Sequence, residues 1–313
     1  MTKNVFITGA SGCIGHYVLD LFADTPYHLH LLLRNPQKLS FNPQLYPKIT
    51  LHQGNLEFIE KHADVLRQMD YVMHIATDWS DSDYARLLNV QKTMTLIDLL
   101  DKNRCQKIVY FSTASILGPN NTPIPEAGNY GSGYVKSKYM ASQALPSSHL
   151  YERMVFLYPT LVFGGDHNHP YSHISAGLIP NLHYLNYLRF FYLEGAFHFL
   201  HAKDIAQIAV HGLLQTTDRQ HYILGQTAIS AEQALETLCR FFDKKIWFKF
   251  KITPKMIFTL ASLLRIQIGP WERFCITHPY MQYDVVNPEF FGYQSAFPHL
   301  ESLLQDLQSH HHT

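Results

Sequence analysis

The fold is decided by an apolar run and a glycine turn near the start of the chain, residues 5–15, which read Val5-Phe6-Ile7-Thr8-Gly9-Ala10-Ser11-Gly12-Cys13-Ile14-Gly15. The run over 5–8 is compact and β-branched, and apolar residues at helical spacing follow from Ile14 to Ala23. In a strand-turn-helix unit of this kind, glycines let the backbone approach a pyrophosphate, and the helix start supplies free N–H groups. The spacing is GxxGxxG, so a purely structural glycine turn is the alternative interpretation.

Further apolar runs alternate with helical patterns through the first half of the chain. A helical stripe covers Arg86–Lys102, and the strand candidates are Leu29–Leu33, Ile49–His52, Tyr71–Ala76, Ile108–Ser112 and Val155–Tyr158. Strands that alternate with helices at this pace form parallel sheets with crossover helices. We therefore predict an α/β fold, a Rossmann-type doubly wound parallel sheet.

The second half is less regular and predicts a smaller, interleaved C-terminal substrate-binding domain. We assign residues 1–165 to a dinucleotide-binding domain to which 200–226 return, and 166–199 with 227–313 to the substrate-binding part. In this half the sequence predicts a loop over His167–Pro180, short strands at Phe197–Leu200 and Tyr222–Leu224, and helices at Asp204–Leu214, Ala231–Phe242 and Thr253–Leu264.

Composition restricts the partners and the compartment. The 313 residues include 25 basic and 25 acidic side chains, 46% are hydrophobic, and no basic run points to nucleic acid or an anionic membrane. The four cysteines lie far apart, and the start of the chain carries no leader pattern, so we expect a cytoplasmic protein acting on a small molecule. The helix Thr253–Leu264 could touch a membrane surface, but an amphipathic helix packed on the substrate domain is favoured.

Arg34 follows the second apolar run, about twenty residues after the glycines. An acidic residue at this position typically binds the ribose 2′-hydroxyl of NAD, whereas an arginine suits the 2′-phosphate of NADP. The sequence therefore favours NADP, with NAD as a possible cofactor and a solvated loop arginine as the alternative.

Tyr134 and Lys138 stand four residues apart, on one face of a predicted helix. A nearby ammonium favours the phenolate and lowers a tyrosine pKa, which allows proton transfer beside a carbonyl or an alcohol. Ser112 and Thr113 follow the fifth strand candidate, where such a sheet opens its ligand crevice, and either hydroxyl could hold the substrate oxygen.

With these motifs in this order, the sequence resembles the extended short-chain dehydrogenase/reductase family, which includes NAD-dependent epimerases and dehydratases. The resemblance covers nearly the whole chain. Besides the glycine turn and the Tyr134–Lys138 pair, it is carried by Gly54-Asn55-Leu56, His74-Ile75-Ala76, Asn89 with Thr93, 111–118, 158–164, 199–206 and Ile229-Ser230.

The resemblance implies roles for individual residues. Tyr134 would be the catalytic acid/base, Lys138 would bind the nicotinamide ribose and lower the tyrosine pKa, and Thr113, or else Ser112, would orient the substrate carbonyl. Asn89 and Phe197 would contact substrate. The cofactor would be bound by Gly9, Ser11, Gly12, Cys13, Ile14, Gly15, Arg34, Asn55, Leu56, Ala76, Lys138, Tyr158 and Thr160.

Departures from the family pattern narrow the substrate. Ala114-Ser115 replace the Asp-Glu pair usual in dehydratases, and Phe197 and Tyr158 stand where arginines commonly hold a diphosphate. We predict an oxidoreductase that reduces a carbonyl or oxidises the alcohol, with a weakly charged substrate held by aromatic side chains that could otherwise be core. The alternatives are a nucleotide-sugar epimerase with tightly bound NAD and a non-catalytic NADP-sensing regulator.

Two further expectations concern metal and assembly. Asp166, His167 and His169 could be read as metal ligands, but a solvated turn is favoured and the chemistry above needs no metal. The resemblance also suggests a homodimer formed through the helices around 86–102 and 134–145.

Overall fold

The structure is a computed structural model that describes residues 2–42, 46 and 48–309. Residue 1 and residues 310–313, at the ends of the two predicted domains, lie outside the described residues. Within the described ranges no helix is long and apolar enough to cross a lipid bilayer.

The central sheet decides the architecture. In the part of the chain that the structure describes, it has seven parallel strands in the order β11-β6-β5-β4-β1-β2-β3. These strands are β1 (Asn4–Thr8), β2 (His28–Leu33), β3 (Ile49–Gln53), β4 (Tyr71–His74), β5 (Lys107–Phe111), β6 (Met154–Pro159) and β11 (His221–Leu224). The order contains the 3-2-1-4-5-6 arrangement of a Rossmann sheet, which confirms the predicted fold class.

Helices cover both faces because successive residues of a buried strand point to opposite sides. Val5 and Ile7 pack with α1 and α9 on one face, and Phe6 packs on the other with the helices before and after β5. The helices are α1 (Cys13–Phe22), α2 (Ala63–Leu66), α3 (Asp83–Arg86), α4 (Thr93–Asp98), α5 (Pro125–Tyr130), α6 (Gly133–Ala144), α7 (His173–Asn181), α8 (Leu185–Leu188), α9 (Ala202–Leu214), α10 (Ala231–Phe241), α11 (Pro254–Leu263), α12 (Pro270–Thr277) and α13 (Leu300–Ser309).

The later segments form a small second layer around short strand pairs. Its core includes Phe163, Phe199 and the buried face of α13. The buried carboxylate of Asp204 on α9 fixes this layer to the main domain, because it accepts hydrogen bonds from the Ser295 hydroxyl at 2.5 Å and the Ala296 amide at 2.8 Å. The short strands are β7 (Leu161–Phe163), β8 (Phe191–Leu193), β9 (Ala196–Phe197), β10 (Phe199–His201), β12 (Ile229–Ser230) and β13 (Phe250–Ile252).

Three predicted elements are wrong in detail. The helix expected over 86–102 starts earlier, contains a π-helical turn over Leu87–Lys92 and ends at Asp98. The expected loop 167–180 contains helix α7, which begins where the Ser172 hydroxyl accepts a hydrogen bond from the Ser175 amide. The single strand expected at 197–200 is two strands, separated by His198, whose ring bonds the Gln226 carbonyl and the Tyr283 amide.

Candidate active site

The glycine turn joins β1 to α1 in a conformation that side chains would block. Gly9 has φ +79°, and a Cβ there would lie 2.6 Å from the Ala76 amide nitrogen. A Cβ on Gly15 would lie 2.3 Å from the Gly9 carbonyl oxygen, so the helix packs directly on the turn. Gly12 is exposed and begins α1 without a side-chain cap or an acidic residue in the first turn. The free backbone N–H groups of this uncapped helix start are suited to binding a pyrophosphate.

The neighbouring strand ends carry the two other predicted contacts of the nucleotide half of a cofactor. Arg34 is exposed immediately after β2, the strand that pairs with β1. Asn55 follows β3 and caps the helical turn that starts with buried Leu56, and its amide nitrogen donates to the Tyr84 hydroxyl at 3.0 Å. A cationic side chain and an amide therefore stand at the same carboxyl edge of the sheet as the glycine turn.

A buried hydrogen-bond chain fixes this edge. The Thr8 hydroxyl bonds His74 Nδ1 at 2.7 Å, and His74 Nε2 bonds the Thr93 hydroxyl at 2.9 Å. The amide of Ala76 donates to the Thr8 hydroxyl at 3.2 Å. Burial lowers the pKa of His74 to about 3, so the ring is neutral and can act as donor and acceptor in the chain. His74 thus ties β1 and β4 to α4.

Tyr134 lies in the first turn of α6, whose start is capped by the Ser132 hydroxyl. Its side chain is buried, and burial raises the pKa of the phenol while a hydrogen bond with the Thr113 side chain opposes the rise. The sequence analysis expected Lys138 to lower the pKa of Tyr134. In the structure this pKa is raised instead, because the removal of the phenol from water is the largest effect. Tyr134 is therefore protonated at neutral pH and hydrogen-bonded with the Thr113 side chain.

Lys138 is one helical turn further along and is also buried. Its ammonium donates to the Phe111 carbonyl oxygen at 2.7 Å and lies 4.8 Å from the centre of the Tyr110 ring. Burial lowers the pKa of Lys138 to about 7. Phe111 ends β5, and Ser112 follows it with its amide bonded to the Leu157 carbonyl, so the two predicted hydroxyl residues and the pair on α6 meet at one edge of the sheet.

Trp79 is a member of this site that the sequence analysis missed. Its indole stacks on the Tyr134 phenol with ring centroids 3.9 Å apart. The ring of His173, the first residue of α7, lies 4.9 Å from the Trp79 indole. Trp79 belongs to the irregular segment after β4. Strand order is the signal that could have found it, because the segment after β4 lies at the carboxyl edge beside the segment after β1.

Other predicted site residues are held by the protein itself. The Asn89 amide donates to the Asp78 carbonyl and the Ser137 hydroxyl, both at 2.9 Å, and accepts from the Asp78 amide at 2.8 Å and the Thr77 hydroxyl at 3.0 Å. Asn89 therefore connects the 77–79 segment to α6. Its predicted contact with substrate has no free polar atom to use in this arrangement.

Phe197, Tyr158 and Thr160 each have contacts of their own within the protein. Phe197 packs on the core of the second layer. The Tyr158 hydroxyl bonds His221 Nδ1 at 3.0 Å, and the Thr160 hydroxyl donates to the Leu224 carbonyl at 2.8 Å. Their predicted roles toward cofactor and substrate stay predictions.

The Asp166–His169 turn packs on α1. His169 bonds Asp166 at 2.7 Å and Asp20 at 2.6 Å, and its ring stacks on Tyr17 with centroids 3.9 Å apart. Among the described residues, no group of three or more histidine, cysteine or acidic side chains could hold a metal ion. Cys13 beside this turn has its pKa raised to about 12 by burial, which keeps its thiol protonated.

Known proteins resemble this chain over most of its length. Residues 5–225 match the family model for the NAD dependent epimerase/dehydratase family. Cinnamoyl-CoA reductase 2 of Arabidopsis thaliana is 25% identical over 265 residues, which are 77% of this chain and 78% of that protein.

Solved structures show the same fold. The crystal structure of gox2253 is 20% identical, covers 99% of both chains and superposes with a TM-score of 0.74. The dTDP-glucose 4,6-dehydratase of Bacillus anthracis, solved with NAD, is 16% identical with a TM-score of 0.68, over 98% of this chain and 96% of that one. The UDP-glucose 4-epimerase of Thermotoga maritima, solved with UDP-glucose, is 14% identical with a TM-score of 0.65, over 98% and 99%.

Proposed function

The chain belongs to the NAD-dependent epimerase/dehydratase family, and on that premise we propose that it is an NADPH-dependent oxidoreductase that reduces a carbonyl compound to an alcohol. The observation that carries this proposal is the buried, protonated phenol of Tyr134 in contact with Thr113. A protonated acid with a raised pKa suits the reductive direction, because the alkoxide formed at the carbonyl oxygen requires a proton. The reverse oxidation uses the same group as a base.

Each residue has one task in this reaction. Thr113 donates a hydrogen bond to the carbonyl oxygen, and Tyr134 delivers the proton to that oxygen as negative charge develops. In this proposal Lys138, whose ammonium donates to the Phe111 carbonyl oxygen, stabilises the phenolate left behind through its positive charge. The nicotinamide dinucleotide, when bound, supplies or accepts the hydride.

The cofactor preference rests on Arg34. It is the cationic side chain at the end of β2, and it is exposed rather than held in an ion pair within the described residues. A guanidinium there would bind a 2′-phosphate through two parallel hydrogen bonds. The four cysteines are free thiols, which supports a reducing compartment such as the cytoplasm as part of the proposal.

The substrate class follows from the side chains that surround Tyr134. Trp79 stacks its indole on the Tyr134 phenol, and the His173 ring lies 4.9 Å from the Trp79 ring. Phe197 and Tyr158 occupy sequence positions where a diphosphate would need arginines. We therefore favour a planar or aromatic carbonyl compound over a sugar nucleotide. The name of the Arabidopsis relative, a cinnamoyl-CoA reductase, agrees with this class and adds acyl thioesters to the candidates.

A substrate screen tests the proposal. NADPH oxidation is followed with aromatic aldehydes, aromatic ketones, cinnamoyl and other acyl thioesters, and small aliphatic ketones, with UDP-glucose epimerisation measured in parallel. We expect turnover with an aromatic carbonyl compound and none of UDP-glucose. Epimerisation of UDP-glucose without net NADPH consumption, or no turnover of any carbonyl substrate, would contradict the proposal.

A further inference from the structure

Helix α11 carries an apolar stripe that faces solvent. Met256, Leu260, Leu263 and Leu264 recur at helical spacing, within an arc of about 100° around the axis. They are 49%, 57%, 76% and 60% exposed, whereas Ala261 is the residue of α11 that is buried. Helix α11 packs on the protein through Ala261, with Ile257 and Phe258 half-buried beside it, whereas the stripe lies outside this contact. A helix of a soluble domain normally turns such a stripe inward, so the exposed stripe requires a partner.

Exposed aromatic side chains extend the same surface through the preceding strand. β13 pairs with β8, with Phe250 opposite Phe191, and both rings are exposed. Trp247 is 74% exposed and Phe248 is 54% exposed, just before β13. Because β13 ends at Ile252 and α11 begins at Pro254, the rings of residues 247–250 and the leucine stripe lie on consecutive segments of the chain. We call residues 244–266, with Phe191, the 244–266 surface.

The charge of this surface has one sign. Residues 244–266 contain six basic side chains and no acidic one. Lys249 bonds Glu232 and Glu236 of α10, and Lys251 bonds Glu194. The other four make no ion pair with the part of the chain that the structure describes, and they are Lys244, Lys245, Lys255 and Arg265. The zero net charge of the whole chain conceals this local excess.

We propose that the 244–266 surface binds the face of an anionic phospholipid bilayer. The combination of an amphipathic helix, exposed Trp and Phe rings and unpaired Lys and Arg side chains is that of an interfacial membrane-binding element. The apolar stripe enters the boundary between headgroups and acyl chains, while the basic side chains contact the anionic headgroups. The proposal departs from the sequence-based expectation of no membrane partner, and it is independent of the reaction at Tyr134.

A second copy of the chain is a poorer occupant of this surface. A two-fold interface places each patch against itself, so the unpaired basic groups of two copies would face one another. Juxtaposed like charges weaken association, whereas an anionic bilayer neutralises all of them at once. The positive charge of the surface therefore favours an anionic bilayer over a second copy of the chain.

Vesicle sedimentation of the full chain tests the proposal. Vesicles of phosphatidylcholine are compared with vesicles that contain roughly one-third phosphatidylglycerol. We expect the protein to pellet with the anionic vesicles, to remain in solution with phosphatidylcholine alone, and to be released by high salt. Lys255→Ala and Arg265→Ala should each weaken binding roughly 5-fold, the equivalent of about 1 kcal/mol per basic residue near the surface.

Matched variants separate membrane binding from misfolding. Leu260→Glu with Leu263→Glu should abolish pelleting, whereas Leu21→Glu on α1, also an exposed leucine, and Lys102→Ala, an exposed lysine, should leave it intact. Circular dichroism checks that all variants fold. Absence of pelleting with anionic vesicles, equal pelleting with neutral ones, or self-association that Leu263→Glu abolishes while vesicle binding is absent would overturn the proposal.

Discussion

The indole of Trp79 lies nearly flat on the phenol of Tyr134, with 3.9 Å between the ring centroids and 20° between the planes. Tyr134 is buried while Trp79 is 55% exposed, so the segment after β4 shields the proposed acid from water. The shield explains why burial controls the pKa of Tyr134 in spite of the buried ammonium of Lys138 on the same helix. Under the proposed function, the exposed face of the Trp79 indole is the surface that a planar substrate would contact.

Trp79→Ala should lower the pKa of Tyr134 toward its ordinary value, because the phenol regains contact with water. The stacked pair should also contribute about 0.5–1.5 kcal/mol to stability. The pKa is measured as phenolate absorbance during an alkaline titration, taken as the difference between Trp79→Ala and Trp79→Ala/Tyr134→Phe. Trp247→Ala removes another exposed indole, on the 244–266 surface, and should leave the titration unchanged. An unaltered Tyr134 titration in Trp79→Ala would refute the shielding role.

Arg34→Ala should weaken NADPH binding by about 10- to 100-fold, the value of losing charge-assisted hydrogen bonds to a phosphate. NADH affinity should remain unchanged because NADH lacks the 2′-phosphate. Fluorescence titration with both cofactors measures the two Kd values, and Lys38→Ala, an exposed cation of the same loop, is the control. Tighter binding of NADH than NADPH by the unaltered chain would show that the cofactor preference is wrong.

Asn89→Leu should destabilise the fold by about 2–4 kcal/mol, because it leaves half-buried partners on Thr77 and Asp78 and the buried Ser137 hydroxyl on α6 without these hydrogen bonds. Urea unfolding measures the free energy, with Asn186→Leu at an exposed position as the control. Unchanged stability together with a raised substrate KM would instead support the direct substrate contact that the family resemblance implies.

His74 should make stability depend on pH. Its pKa in the folded chain is about 3, below the ordinary value of 6.5, so the unfolded chain takes up a proton first as the pH falls. The contribution of His74 to stability is complete above the unfolded pKa and is lost progressively toward the folded pKa. At about pH 5 the loss amounts to about 2 kcal/mol.

Urea unfolding near neutral pH and at about pH 5 measures this loss. His74→Gln should be less stable than the unaltered chain near neutral pH, but it should lose about 2 kcal/mol less on acidification. His183→Gln, at an exposed position, should lose as much as the unaltered chain. An equal loss in His74→Gln would show that this ring does not control the acid response.

The parts of the fold governed by local pattern could be predicted from the sequence. The run 5–8 and the glycines that follow specify strand, turn and helix because φ +79° at Gly9 and the close approach of Gly15 to Gly9 admit no side chain. The four-residue spacing of Tyr134 and Lys138 similarly places both on one face of α6.

The parts governed by tertiary contacts could not be predicted. Trp79 lies in a polar segment without periodicity, and its place over Tyr134 depends on the Asn89 bonds that hold this segment. Helix α7 begins at a serine cap within a stretch rich in His, Asn and Pro, where composition favours a loop. For α11 the amphipathic pattern was correct, but a pattern specifies an apolar face without specifying what covers it.

The most direct test of the central claim is the turnover of Tyr134→Phe with NADPH and the best carbonyl substrate of the screen. The account predicts a fall in kcat of about 100- to 10,000-fold, as expected for a lost general acid, with the Kd for NADPH nearly unchanged. Tyr139→Phe on the same helix should retain full activity. Retention of activity by Tyr134→Phe would contradict the assignment of Tyr134 as the proton donor.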